Sequence, residues 1–315
     1  MTESITRSVV KRRKAVIYLK RWWTLYLMLL LPIIYFLVFK YAPIANILVA
    51  FKNYNITKTV FEMDWAKNNG FEHFIAAFKN RDFLFALRNT VVLNLLDLIM
   101  GFPAPILLAL ILNEVTFKPL KRVTQTIAYM PHFLSWVIIS GLAVQLLAPT
   151  TGLVNMFLMR MGFDPVPFLN DKTHWVFTYI FLGIWQSVGW NTIIYLAAIT
   201  SINPEYYEAA SVDGAGRFRK MWHITLPGIR STVVILFILA LGNILGSGFD
   251  RPFALLNPLV KDVGNVLSTF IYTYGIRSGK VAMTTAVGLF QSVVSVIFVL
   301  TANKLARQVG ERGLW

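Results

Sequence analysis

The 315-residue chain has no cysteine, which excludes disulfides, thiolate metal sites and cysteine nucleophiles. Charge is scarce: 14% of residues are Asp, Glu, Lys or Arg, against roughly 25% in a soluble domain. The four histidines, His73, His132, His174 and His223, stand apart and form neither H-x-x-x-H nor H-E-x-x-H. No G-x-S-x-G occurs, and "DGAG" lacks both the third glycine of a dinucleotide turn and a buried strand before it. Without a G-x-x-x-x-G-K-[ST] loop the chain has nothing to cradle a nucleotide phosphate. These absences leave no catalytic or metal site and no bound cofactor to expect. If ATP drives this protein, ATP and its Mg²⁺ sit on another polypeptide.

What the chain has instead is apolar length. Hydrophobic residues make up 56% of it, and runs near the roughly 20 residues that cross a bilayer recur along it. The expected fold is all-α, a polytopic membrane protein with six spans: 22–39, 84–112, 124–147, 175–199, 229–248 and 281–302. Pro103 and Pro105 are expected to kink the second, and Pro131 stands near the start of the third. The first apolar run exceeds the roughly 7–15 residues of a signal peptide core and no small-x-small cleavage site follows, so it reads as an uncleaved span. The organisation is then a basic tail over 1–21, a six-span body over 22–303 and a tail over 304–315, with no internal repeat.

The net charge of +15 has a bland explanation, because Lys and Arg flank spans and orient them. No basic stripe interleaved with aromatics lies outside the spans, so nucleic acid is not expected as a partner. Arg7, Lys11, Arg12, Arg13, Lys14, Lys20 and Arg21 precede the first span. Lys118, Lys121 and Arg122 follow the second, Arg217, Arg219, Lys220 and Arg230 lie around the loop 201–228, and Lys304, Arg307 and Arg312 close the chain. These 17 basic residues fall on one side, while the opposite loops hold 12, largely offset by eight acids. The positive-inside rule places both termini and the 201–228 loop in the cytosol.

Polar residues within spans mark transport paths. Asp97 lies inside the second span, and Arg88, nine residues earlier, is half a turn out of phase with it. Asp97 is expected to hydrogen-bond at a helix interface, with proton coupling in a secondary transporter as the competing role. The fourth span carries Trp185, Gln186, Ser187, Trp190, Asn191 and Tyr195, with Asn243 in the fifth and Gln291 in the sixth. Rings that stack on sugar C–H faces beside amides that bridge hydroxyls suit a polyhydroxylated solute. Belt aromatics and interhelical hydrogen bonds would look the same.

The stretch "NPEYYEAASVDGAGRFRKMWHITLP" (203–227) is polar between two apolar spans. Asn203, Pro204 and Glu205 form a helix start: an N-cap, a proline at the first helical position, an acid near the positive dipole end. That helix is expected to end at Gly214, a residue free to adopt the left-handed C′ conformation. Gly216 permits a second bend, and "RFRKMWHI" forms a second helix that Pro227 is expected to terminate. Glu208, Ala209 and Ala210 in the first limb offer a carboxylate and close backbone approach to a partner; a loop resting on lipid headgroups is the plainer alternative.

This segment resembles the signature of binding-protein-dependent ABC transporter permeases, E-A-A, three residues, G, nine residues, I-x-L-P. It is met without a deviation in spacing by Glu208, Ala209, Ala210, Gly214, Ile224, Leu226 and Pro227, with Asp213 beside the glycine. "FEHFIAAFKNRDFLFALRNTVVLN", "MPHFLSWVIISG", "TGLVN" and "GNVLSTFIYTYGI" are similar to the maltose-type sugar permeases, and to their LplB-like polysaccharide subgroup, over nearly the whole chain. The chain departs from the larger maltose-transporter subunit in lacking its extra N-terminal spans and large periplasmic insertion. The resemblance implies a type I ABC importer permease fold in a bacterial cytoplasmic membrane. It also implies a second homologous permease, two ATPase subunits that hydrolyse ATP, and an extracytoplasmic solute-binding protein. The elbow would be the coupling helix, docked through Glu208 and its neighbours. A carbohydrate would be the solute, met by Ser187, Trp190 and Asn243 with Gln186 and Asn191 behind them, and Arg88, Arg251, Arg277 and Lys280 near the outer face would suit an acidic one. A peptide or amino-acid permease of the same superfamily, or an ion-coupled carrier, is the alternative.

Overall fold

The computed structural model describes residues 2–246, 248–308, 310 and 313–314, and side chains from Tyr18 onward except Leu19. The side chains of Arg7, Lys11, Arg12, Arg13 and Lys14, and Arg312, used in the orientation argument, lie outside them. The described residues contain helices and turns, one isolated antiparallel bridge between Lys52 and Trp65, and no strand. Four helices are long and apolar enough to cross a membrane, and six spans result if each of two bent pairs counts as one. The chain divides into two compact units, 1–73 and 74–315.

In the first unit, α1 (Thr2–Phe36) runs into a π turn at Leu37–Tyr41 and a 3-10 turn at Ala42–Phe51. Beyond it, the buried Lys52 donates to the carbonyls of Val60 and Phe61 at 3.0 and 3.2 Å. Its ammonium also lies 5.2 Å from the Trp65 ring, a cation–π contact that organises the following loop.

The first long helix of the second unit is α2 (Arg81–Glu114). Asn80 caps it, accepting from the amides of Asp82 and Phe83. Pro103 does not break this helix. The five residues Asp97–Gly101 widen into a π turn just before the proline, and the Phe102 amide reaches back to the Asp97 carbonyl. A π turn of this kind accommodates the donor a proline lacks and its clash with the preceding turn.

The expected third span is instead two helices, α3 (Lys118–Phe133) and α4 (Trp136–Leu147), which meet at 104°. Pro131 tightens the end of α3 into a 3-10 turn, Leu134 is extended, and Ser135 caps α4 through its hydroxyl. Next comes α5 (Lys172–Thr200), capped by Asp171 on the amides of Thr173 and His174. It is the central post. Its first half packs Trp175, Tyr179 and Ile180 with Leu93, Ala143 and Leu255, and its second half packs Tyr195 and Ile199 with Ala109, Leu110 and Ile229. At Gly189 it touches α3 backbone to backbone, since a Cβ there would overlap the Ala128 carbonyl. Lipid tails are as apolar as leucine, so such close packing, rather than water exclusion, holds spans together.

After α6 (Pro204–Val212) and α7 (Arg217–Gly228), the fifth span begins at α8 (Arg230–Gly242), bent 59° from α7. The sequence suggests helix to residue 248, but α8 stops at Gly242. Glycine is a poor helix former, and Gly242, Gly246 and Gly248 cluster here. The unwound stretch leads to α9 (Asp250–Leu255), and α10 (Val281–Gln308) is the last span. Irregular backbone at membrane depth requires partners for its polar groups. Asn94 donates to the Ile244 carbonyl at 2.8 Å and Gln291 to that of Leu245 at 2.6 Å. The bend between α3 and α4 is treated likewise, with Gln186 donating to the His132 carbonyl at 3.3 Å. We expect Asn94→Leu and Gln291→Leu each to cost about 1 kcal/mol of stability, read as a lowered midpoint of thermal unfolding in detergent.

Candidate functional site

The unwound segment, the π turn of α2 and the middle of α5 enclose a cavity of about 560 Å³. Its wall includes Asn94, Asp97, Trp136, Tyr179, Gln186, Ser187, Asn191, Asn243, Asp250 and Arg251. Four residues expected from sequence to meet a solute therefore share one cavity: Gln186, Ser187, Asn191 and Asn243. They differ in what they have left to offer. Ser187 donates to the Gly183 carbonyl of its own helix, and Gln186 spends its amide N–H on His132. Asn191 and Asn243 make no side-chain hydrogen bond to any described residue. Trp190 is not in the wall. Its indole stacks on the His132 imidazole, centroids 4.6 Å apart and planes 4° from parallel, with Phe133 edge-on at 6.1 Å. Tyr195 reaches the cavity from the core packing of α5, and Gln291 serves the unwound backbone instead.

Asp97 pairs with Arg251, 154 positions later, and not with Arg88. Nη1 and Nη2 of Arg251 donate to the two carboxylate oxygens at 2.7 and 3.2 Å, and Nη2 also donates to the Tyr179 carbonyl. The guanidinium lies 3.6 Å from the Tyr179 ring centroid and 5.5 Å from that of Trp136. A charge in a span needs a partner, and this one corrects the sequence reading that left Arg251 free on the outer face. Arg88 is engaged too, through Asn89 and the Asp262 carbonyl. The guanidinium has room only because residue 183 is glycine, since a Cβ there would overlap it. Asn94, Trp136 and Tyr179 are wall residues that the sequence reading does not select, and Arg251 is one it places near the outer face and not against Asp97. The need of Asp97 for a cation was the one signal, and it lacked an address.

The other feature is the elbow of α6 and α7. Asn203 caps α6 through the Glu205 amide at 3.1 Å. Gly214 adopts φ +74°, the Gly214 amide bonds the Ser211 carbonyl, and the Ala215 amide bonds that of Ala210 at 2.8 Å, the Schellman arrangement of a helix C-terminus. The second limb ends at Gly228, one residue past Pro227, where the chain bends 59° into α8. The π turn Met221–Thr225 precedes the proline, and the Leu226 amide bonds the Met221 carbonyl, so the helix widens where the donor is missing. The limbs are tied by Tyr207 to Thr225 at 3.0 Å and by Lys220 to Ser211 at 2.6 Å. Ile224 and Leu226 are half-buried, and Leu226 packs with Ile202 against the core around Tyr195 and Ile229. Glu208, Ala209, Asp213, Gly214 and Pro227 are exposed, and Ala210 is partly so. Beside them stand Val212, Phe218 and Trp222 at 89, 82 and 68% exposure, too apolar and too bare to be explained by this chain's own packing.

A family model for the inner membrane component of binding-protein-dependent transport systems matches residues 89–310. The polygalacturonan/rhamnogalacturonan transport system permease protein YteP of Bacillus subtilis (strain 168) is 44% identical over 97% of this chain and 94% of its own length. Protein LplB of the same organism is 42% identical over 94% of this chain and 92% of its own. A chain of a bacterial alginate ABC transporter, crystallised with an alginate pentasaccharide-bound periplasmic protein, superposes with a TM-score of 0.85 at 42% identity, covering 94% of this chain and 98% of that one.

Gly183→Ala should push the Arg251 guanidinium off Asp97 and cost about 1–3 kcal/mol, as overpacking does. Thermal unfolding in detergent checks this, and Gly141→Ala, where a Cβ meets nothing within 4 Å, should cost far less.

Proposed function

Because the chain belongs to the family of binding-protein-dependent transport system inner membrane components, we propose that it is one permease of an ATP-driven importer, with the elbow as the point where power enters and the cavity as part of the solute path. The observation that carries this reading is the elbow: a doubly tied, capped corner that exposes Glu208, Ala209 and an apolar ridge, on a chain with no phosphate-binding loop. The assembly contains a second homologous permease, two ATPase subunits and an extracytoplasmic solute-binding protein. Both termini and the elbow face the cytosol of a bacterial cell.

The motif then divides by task. Glu208, Ala209, Ala210 and Asp213 meet the ATPase cleft, where small residues permit close approach and a carboxylate pairs with a basic group. Gly214 sets the corner. Leu226 fixes the second limb to the core of α5 and α8, with Ile224 half-buried beside it and Pro227 at the limb's end, so a push at α6 reaches the cavity walls as a rigid-body movement. ATP and Mg²⁺ are held by the partner ATPases, whose closure supplies the force.

The solute is a carbohydrate oligomer, and the relatives that transport polygalacturonan and alginate support an acidic one, a uronate oligomer from polysaccharide breakdown. The free amides of Asn191 and Asn243 would bridge its hydroxyls, with Gln186 and Ser187 behind them. Trp190, half exposed beside His132, would meet solute only where the path extends past this cavity.

In proteoliposomes holding the whole assembly, Glu208→Arg should abolish uptake and stimulation of ATPase activity by loaded binding protein while the permease still assembles. Unchanged stimulation would remove the elbow from the coupling. Asn191→Ala and Asn243→Ala should each lower kcat/KM for uptake about fivefold, the value of one hydrogen bond of about 1 kcal/mol, and leave basal ATPase activity unchanged.

A further inference from the structure

Within the cavity wall, Arg251 is the one cation among the described residues, and two acids, Asp97 and Asp250, share the wall with it. Its end-on pair of nitrogens, the fork that grips a carboxylate from two points, is already filled by Asp97. Nη2 also serves the Tyr179 carbonyl, and the Nε–H, though it has no partner, is buried away from the cavity surface. Glycine at 183 keeps the guanidinium seated in this arrangement. Both members stay in touch with the cavity, the Asp97 side chain at 29% exposure and that of Arg251 at 15%.

We propose that Asp97 is a resident stand-in for a substrate carboxylate, occupying the Arg251 fork so that an acidic sugar passes the cavity without being trapped there. The inference rests on the reading that the solute is a uronate oligomer. A path must hold its passenger firmly enough to admit it and weakly enough to release it. A bare guanidinium flanked by the Trp136 and Tyr179 rings, away from bulk water, would bind a carboxylate tightly and slow its release. With Asp97 in place the solute meets amides and hydroxyls, which contact every sugar unit alike, and a wall whose charge is neutral to negative. Neutral oligomers gain nothing from the device and lose nothing without it.

The test is uptake by the reconstituted full assembly of a galacturonate trimer and of the same trimer with its carboxyl groups reduced to neutral galactose. Asp97→Asn keeps the size and a hydrogen bond but frees the fork. For the acidic trimer it should lower KM about tenfold and lower kcat with it, while both constants for the neutral trimer stay as in the unsubstituted protein. Asp97→Asn combined with Arg251→Gln should return the acidic trimer to weak binding, which a purely structural tie would not do. If Asp97→Asn fails to assemble, Arg251→Lys decides: it keeps the charge but loses the two-point grip, and should shift the acidic trimer in the same direction by a smaller factor. Equal changes for both trimers, or no change for either, would overturn the proposal and leave Asp97–Arg251 as a structural tie alone. Failure of the unsubstituted assembly to take up the acidic trimer while taking up the neutral one would instead overturn the acidic-solute reading, and the stand-in role with it.

Discussion

A backbone N–H or C=O at membrane depth has no water to turn to, and among the described residues the two main breaks in the spans, the stretch after α8 and the corner between α3 and α4, are answered by side chains from other spans. Asn94 on α2 and Gln291 on α10 hold the carbonyls of the unwound stretch after α8. Gln186 on α5 holds a carbonyl at the corner between α3 and α4, and Thr192 reaches the Pro105 carbonyl at 3.2 Å. The breaks are thus paired with the amides that permit them. Irregular backbone in a membrane is tolerated where it lines a cavity, and the cavity here lies against the unwound stretch and the α2 π turn.

The same constraint explains the charge. Asp97 sits on the π turn before Pro103, where the helix is widest, and Arg251 comes from the far side of the unwound stretch. Their pairing closes the chain across the break: α2 and α5 hold the start of α9 through one guanidinium. Half a buried pair costs far more than the intact pair contributes, so the two residues and Gly183 form a single unit. The elbow follows the opposite logic. It is stiff within, through its cap, its left-handed glycine and its side-chain ties, yet it leaves its apolar ridge and Glu208 uncovered. A rigid body with an uncovered face transmits a push.

The elbow was legible in the sequence because its determinants are local. Asn203, Pro204, Gly214 and the motif spacing each act within a few residues, and the cap and φ +74° appear where expected. The four amide and hydroxyl residues of the cavity were legible as polar exceptions in apolar spans. The rest depended on contacts far apart along the chain. Arg251 looks like an outer-loop cation until the chain brings it to Asp97. Trp190 looks like a cavity residue until its rotation on α5 turns it to His132. Pro103 reads as a kink and Pro227 as a stop; the second limb ends one residue past Pro227, but the π turn that precedes each proline and absorbs the missing donor is announced by nothing in composition. The end of α8 at Gly242 is hinted at by the glycines at 242, 246 and 248, but the stretch beyond is apolar enough to continue as helix, and only the amides of two other spans make stopping tolerable.

The central claim is that force enters through the exposed face of α6, and the absence of cysteine makes it open to direct measurement. With Ala209→Cys as the chain's one thiol and a second thiol placed in the ATPase cleft, oxidation should join the two subunits at high yield in the assembled transporter. Uptake should then stop and return on reduction. A thiol at residue 209 that never links to the ATPase, or a linked complex that transports at the unlinked rate, would contradict the account.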